Sequence, residues 1–215
     1  MPEMISMEKS LALLKKYSIP HASWKIAKSP ESAAKAAKQL GFPVALKALS
    51  KKIVHKTDSG AVSLNLADED EVKSAFDDIM KSMKKLRIKP DGMLVQKMEA
   101  GTEVIIGLKR DPQFGPVVMF GLGGIFVEIL KDVSLRIAPL TKDDCIGMIE
   151  EVKGYEILKG ARGKKPVNTD ALVKILMSVS KIGEKNKKIT ELDLNPIIAD
   201  EKSAKVVDIR VMSEK

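Results

Sequence analysis

A single cysteine, Cys145, leaves this chain without an internal disulfide or a cysteine-rich zinc site, and it fits a reducing compartment. Only two histidines are present, His21 and His55, so no histidine cluster competes for a soft metal. One Trp, two Tyr and five Phe offer little stacking surface for single-stranded nucleic acid, and that partner class is set aside. No apolar run approaches the ~20 residues of a membrane span. Residues 1–19 carry Glu3, Glu8, Lys9, Lys15 and Lys16, so they read as neither signal peptide nor anchor, and the chain is expected in the cytoplasm with no membrane partner. The P-loop pattern Gly-x-x-x-x-Gly-Lys-Ser/Thr is absent. Gly121-Leu122-Gly123-Gly124 opens no helical pattern, so it is not a dinucleotide fingerprint either.

What is present is basic and long enough to build a core. Lys plus Arg (37) exceed Asp plus Glu (29), a balance of +8 that favours an anionic partner. The lysines fall mostly in scattered pairs such as Lys51-Lys52 and Lys187-Lys188, the pattern of solvated helix and loop ends. The 215 residues suffice for one sizeable domain or two small lobes.

The most informative stretch is residues 41–62. Val44, Leu46 and Ala48 alternate with Ala45, Lys47 and Leu49, which makes a strand apolar on both faces with one charge near its end. A buried ammonium needs an anion or a route to water, so Lys47 is read as a phosphate ligand. The following loop brings His55, Lys56, Thr57, Asp58 and Gly60, with backbone N–H groups near Ser59 to Ala61. An imidazole there can take a phosphoryl group, and a neighbouring carboxylate can orient the ring. His21 has no such company and is given a structural role.

Elsewhere the pattern predicts alternating helices and strands. Ser6 caps a lead helix ending before Pro20, and Ser29 with Pro30 opens a helix closed by Gly41 whose inner face is Ala33, Ala36, Ala37 and Leu40. Asp68 and Glu71 precede Val72, Phe76, Ile79, Met80 and Met83, with both methionines assigned to the core. Residues 92–98 form a strand, and residues 103–120 form a hairpin turning at 111–115. Thr141 and Thr169 are read as caps of two later helices, with a glycine- and lysine-rich loop over 154–167 between them.

Residues 190–199 alternate so that Leu192 and Leu194 oppose Glu191, Asp193 and Asn195. With a four-residue turn at 200–203, the returning strand sets Asn195 against Asp208 and Asp193 against Arg210. Pro196, lacking an N–H, is a candidate bulge. Two carboxylates and an amide on one patch form a hard-oxygen donor set suited to Mg²⁺ with a nucleotide, and a solvated hairpin face is the plainer alternative.

Lys47 on its strand, VQKM at 95–98, EVIIG, FGLGGIFVE, HKTDSGAV, and ELDLNPII followed by VVDIRV together resemble an ATP-grasp domain. Nearly the whole chain is similar to the nucleotide-binding beta subunit of ADP-forming acyl-CoA synthetases, relatives of succinyl-CoA synthetase. The resemblance implies an α/β (α+β) ATP-grasp fold of two lobes, each a mainly antiparallel sheet with packed helices, gripping ATP or ADP with Mg²⁺. The expected division is a lead helix at 1–20, an N-terminal lobe at 21–94 and a C-terminal lobe at 95–215. It further implies Lys47 at the α- and β-phosphates; Gln96, Lys97, Met98 and Glu99 at the adenine and ribose edge; Glu103, Gly123 and Gly124 at the phosphates; and Asn195 and Asp208 on Mg²⁺ with Asp193 nearby. His55 matches a histidine phosphorylated in relay from a first phosphohistidine on the partner. Ala61 stands where the family usually has a second glycine. An alpha subunit with the CoA-binding domains is the implied partner, in a heterotetramer of two alpha and two beta chains. Two other readings stand beside it, a carboxylate ligase acting through an acyl phosphate and a non-catalytic nucleotide-sensing module.

Overall fold

The computed structural model describes residues 2–50, 60–124, 132–161 and 165–215. Among them the chain divides into two units, Ala22–Met98 and the combination of Met1–His21 with Glu99–Lys215.

In the first unit, β2 (Trp24–Ala27), β5 (Gly92–Lys97), β3 (Val44–Leu49) and β4 (Val62–Leu66) lie in that order in an antiparallel sheet. Helix α2 (Pro30–Leu40) starts where expected: the Ser29 hydroxyl accepts from Ser32 N–H, Ser32 returns the bond, and Pro30 needs no donor. Its face of Ala33, Ala34, Ala36 and Ala37 is buried, and the small side chains let it lie close against its neighbours. Helix α3 (Glu69–Lys85) is capped by Asp68, whose carboxylate accepts from the N–H groups of Asp70 and Glu71, while Glu71 accepts from Ala67 N–H at 2.7 Å. Val72, Phe76, Ile79 and Met83 join the alanines and Leu46, Met93 and Val95 in one core. Met80 does not. It is 40% exposed, because position 80 turns off the stripe on which Ile79 and Met83 lie.

Two boundaries differ from expectation. Strand β5 sits between β2 and β3, so residues 95–97 belong with the first sheet, and the division falls after Met98 rather than after residue 94. The lead segment is not separate either. β1 (Glu3–Met4) pairs with β11 (Ile209–Ser213), and α1 (Met7–Lys16), capped by the Ser6 hydroxyl, packs beside β11.

The second unit is a seven-stranded antiparallel sheet in the order β1-β11-β9-β6-β7-β8, with β10 (Ala204–Val206) also pairing to β9 (Ile189–Ala199). The hairpin of β6 (Thr102–Asp111) and β7 (Gly115–Leu122) runs in continuous register from Val104↔Leu122 to Asp111↔Gly115. Asp111 closes its turn by accepting from Gln113 and Phe114 N–H at 2.8 and 2.9 Å. β8 (Val133–Ile137) was not anticipated. It pairs with β7 and ties to α4 (Lys142–Glu150) through Arg136 and Glu151 at 2.5 Å. The 154–167 segment, expected as a loop, contains a short helix, α5 (Tyr155–Leu158). α6 (Thr169–Lys185) is capped by Asn168, one residue earlier than read; its side chain accepts from Ala171 N–H at 2.9 Å. Leu172, Ile175, Leu176, Val179 and Ile182 of α6 are buried, and the helix packs on β6 and β7. The backbone of His21 forms an isolated parallel bridge with Val206. Among the described residues no helix is long and apolar enough to cross a membrane.

The burial contrast on α3 is testable with the single tryptophan, Trp24, as reporter of its own unit. Met83→Ala removes a fully buried side chain and is expected to lower stability by about 2–5 kcal/mol, against about 0.5 kcal/mol or less for Met80→Ala, in urea unfolding followed by Trp24 fluorescence. Cys145 is fully buried in α4, and burial pushes its thiol up to about 11. It is therefore expected to resist alkylation at pH 8 in the native chain and to label fully in denaturant; native labelling at the denatured rate would contradict its burial.

Candidate functional site

Lys47 is the one charged residue among the buried positions of β3, 6% exposed, with Val62 and Leu94 as its cross-strand partners. Its Cβ direction is set by strand alternation, so the ammonium leaves an otherwise apolar strand at a fixed point. It already has an interaction partner, so it is not a spare cation. Ala61 is fully buried and its carbonyl accepts from Ala48 N–H at 2.8 Å, which anchors the far end of the loop to β3 one residue from Lys47. His55 lies outside the described residues, as do Lys56, Thr57 and Asp58.

The expected base-edge segment is largely committed to its own unit. Gln96 is buried between Trp24 and Ala45. Lys97 N–H donates to Ser23 O at 2.9 Å, and Met98 N–H donates to Pro43 O at 3.1 Å. The Lys97 ammonium donates to the carbonyls of Gly41 and Phe42, both at 2.7 Å, tying the end of α2 to the end of β5. Neither Lys97's ammonium nor these two N–H groups are therefore spare donors for a base. In the second unit, Glu99 is held by Lys205 of β10 at 2.8 Å.

Glu103, Gly123 and Gly124 are brought together at one end of the β6–β7 hairpin. Gly123 N–H donates to Glu103 O at 2.8 Å, and a Cβ on Gly123 would stand 2.7 Å from Glu103 Cβ, so this glycine is required by packing alone. Gly124 is glycine for another reason, its φ of +63°. Among the described residues, a Cβ there would meet only Glu103 Oε2, at 3.9 Å.

Asn195, Asp208 and Asp193 stand in the register read from the sequence. Ala199 pairs with Ala204, Asp193 with Arg210, and Asn195 N–H donates to Asp208 O at 3.2 Å. The bulge assigned to Pro196 lies on the other edge of β9. There Asn195 and Pro196 together oppose Ile105 of β6, between Val104↔Ile197 and Ile106↔Leu194. Asp208 Oδ1 accepts from Ile209 N–H at 3.0 Å. Burial pushes the Asp193 carboxyl above its ordinary value; Arg210 draws it back, while Glu191 and Asp208 add to the rise. Among the described residues no group of three or more His, Cys, Asp or Glu is disposed to hold a metal unaided. The Asn195 amide on β9 and the Asp208 carboxylate, in the two-residue break between β10 and β11, instead offer a partial hard-oxygen set. Such donors are of the kind that a Mg²⁺ ion completed by phosphate oxygens takes, so these residue types fit the ion.

Glu191 and Arg210 received no role from the sequence. Arg210 Nη2 bonds Glu191 at 2.6 Å and stands 3.9 Å from Asp193. The register already placed this guanidinium in the acidic patch, but the diagonal partner is a choice of rotamer that alternation does not specify.

Comparison with known proteins identifies the family of the chain. The ATP-grasp domain family model matches residues 3–212. The beta subunit of ADP-forming acetate–CoA ligase I from Pyrococcus furiosus is 48% identical over 205 residues, covering 93% of this chain and 88% of that one. Acetyl-coenzyme A synthetase 1 from Ca. Korarchaeum cryptofilum, solved with coenzyme A, Ca-AMPCP and HgCl⁺, superposes with a TM-score of 0.94 at 44% identity, over 99% of this chain and 94% of that chain. A second structure of that enzyme, with coenzyme A and Mg-AMPPCP and its phosphohistidine segment pointing towards the nucleotide binding site, superposes with a TM-score of 0.85 at 42% identity over 99% and 93%. The chain therefore belongs to the ATP-grasp family and, within it, to the beta subunits of the ADP-forming acetate–CoA ligases.

Proposed function

We propose that this chain transfers a phosphoryl group between a phosphohistidine and ADP or ATP, as the nucleotide-binding part of the reaction acyl-CoA + ADP + phosphate ⇌ acid + CoA + ATP. The observation that carries this reading is the pairing of Asn195 with Asp208, in a fold shared over 99% of the chain with an enzyme solved with Mg-AMPPCP. Lys47 binds the phosphates: its ammonium, on a buried strand, offers positive charge where water screens it least. The Asn195 amide oxygen and the Asp208 carboxylate hold Mg²⁺, which when bound offsets charge on the phosphate oxygens. Gly124 gives the backbone room to approach an anion, and Glu103 beside it borders the same group. The remaining share of base and ribose contacts falls to the 96–99 segment, through groups other than the Lys97 and Met98 N–H.

His55 carries the phosphoryl group in relay from a first phosphohistidine on the partner. In the forward direction its N–P bond breaks as an oxygen of the ADP β-phosphate forms the new P–O bond, and the imidazole is left neutral after proton exchange. This transfer needs in-line placement and charge neutralisation rather than an acid or base of shifted pKa. The partner is an alpha subunit with the CoA-binding domains, in an assembly of two alpha and two beta chains working in the cytoplasm.

With the alpha subunit and Mg·ATP, peptide mapping is expected to find acid-labile, base-stable phosphate on His55, and His55→Ala is expected to abolish ATP formation. Wild-type ATP formation by His55→Ala would end the relay and favour direct acyl phosphate chemistry. Lys47→Met is expected to fold, since an apolar side chain of similar length suits a buried strand, yet to lower kcat/KM for ADP by about 10²–10³-fold. Unchanged kinetics in a folded Lys47→Met chain would remove Lys47 from the phosphates.

A further inference from the structure

β8 ends the second unit's sheet, and among the described residues no strand pairs with its outer edge. The phase of its ladder with β7 fixes which groups face outward. Ala138 N–H donates to Pro116 O at 2.8 Å, so, counting back along the ladder, Arg136 with Val118 and Ser134 with Phe120 are the hydrogen-bonded pairs. Val133, Leu135 and Ile137 therefore present their backbone N–H and C=O groups at the open edge. Such a row is a template for another strand unless something blunts it. Between 133 and 137 there is no proline, no lysine and no shift of register, and the one charge, Arg136, is neutralised by Glu151 through bonds of 2.9 and 2.5 Å.

The side chains add an apolar face to that edge. Leu135 and Ile137 are 55% and 53% exposed, and across the ladder they adjoin Met119 and Val117, both half-buried. This strip lies on the side of the sheet opposite α6, whose Gly183 packs against Leu108 and Pro116. Turned about a two-fold axis at Leu135, β8 meets a second β8 in antiparallel register: Leu135 opposes Leu135 of the copy and Val133 opposes its Ile137, apolar against apolar. On the α6 side, Arg136 comes opposite the copy's Ser134, whose hydroxyl bonds Glu151, so each guanidinium meets a second carboxylate and the charges alternate about the axis. Leu135 O already accepts from Arg136 Nη1 at 2.9 Å and keeps a second lone pair for the copy's Leu135 N–H. An edge bearing net charge would repel its own copy; this one is neutral and matches itself, as an isologous contact requires.

We propose that β8 is a dimerisation edge through which two copies of this chain join their sheets, with Leu135 on the axis. The proposal uses none of the residues assigned to nucleotide, metal or phosphoryl transfer, so it stands apart from the function proposed above. One short strand pair and a narrow apolar strip lie at the small end of interface sizes, and the dimer is accordingly reversible on dilution.

Sedimentation velocity of the full chain tests it. At about 200 μM a dimer is expected that disperses at about 5 μM, and Leu135→Lys, at an exposed position, is expected to stay folded and monomeric at both. The register is tested by cross-linking with copper phenanthroline. Leu135→Cys is expected to form a disulfide dimer, since hydrogen-bonded antiparallel partners stand about 5.5 Å apart at Cα, within disulfide reach. Ile137→Cys is expected not to, because its counterpart in the copy lies several residues along the strand; Cys145, buried, takes no part. A wild-type chain still monomeric at about 200 μM overturns the proposal, as does equal cross-linking of the two cysteine variants. Should Leu135→Lys weaken binding of a partner subunit while the wild-type chain is already monomeric, the strip belongs to that subunit and not to a second copy.

Discussion

The antiparallel register between β9 and the strand that returns after residues 200–203 is the constraint on which the rest of the second unit depends. A one-residue slip would turn Glu191, Asp193 and Asn195 toward α6 and send Leu192 and Leu194 out. Burial of the two leucines therefore fixes the polar face as firmly as any contact within that face. The turn reinforces the register: Asp200 Oδ1 accepts from Lys202 and Ser203 N–H, both at 2.7 Å. On the other edge, two residues of β9 opposite one of β6 absorb the proline that cannot donate. This packing brings Asn195 of β9 opposite Asp208, between β10 and β11, through the Asn195 N–H bond to the Asp208 carbonyl.

The first unit carries a buried charge rather than a pair of oxygen donors. A sheet of four strands, covered by an alanine-faced helix and by α3, leaves one buried cation, Lys47, on β3. Desolvation makes an ammonium there a stronger partner for phosphate than a surface lysine. The segment that follows β5 is held by its own lysine, since Lys97 bonds the carbonyls at the end of α2. A cation in a recognisable motif here has a structural task, and its presence in the motif alone did not reveal which task it had.

Local chemistry was legible in the sequence wherever one residue type has one cheap conformation. Ser29-Pro30, Asp68 with Glu71, Thr141 with Asp144, and the turn at Asp111 all stand as their spacing implies. The β9–β11 pairing was legible because alternation and a short turn leave one register. β8 was not read, although Val133, Leu135 and Ile137 alternate with Ser134 and Arg136, and its burial runs against that pattern: Ser134 is buried while Leu135 and Ile137 are exposed. Asn168 and Thr169 are both capping residues, and only the bond to Ala171 decides between them. The boundary after Met98 depends on β5 inserting between β2 and β3, a non-local pairing that no window of sequence contains. In the site, positions were readable but partners were not: the lysine that holds Glu99 and the diagonal from Arg210 to Glu191 depend on chain segments far from the motif or on rotamers.

If Asn195 and Asp208 hold the divalent ion that accompanies a nucleotide, nucleotide and ion must bind as a unit. The measurement that tests this most directly is calorimetric titration of ADP into the purified chain with Mg²⁺ and then with a chelator, alongside Asn195→Ala. The account predicts ADP binding that depends on Mg²⁺ and a dependence that disappears in Asn195→Ala. Equal ADP affinity with and without the ion, or no ADP binding by the chain alone or with its partner, would contradict it.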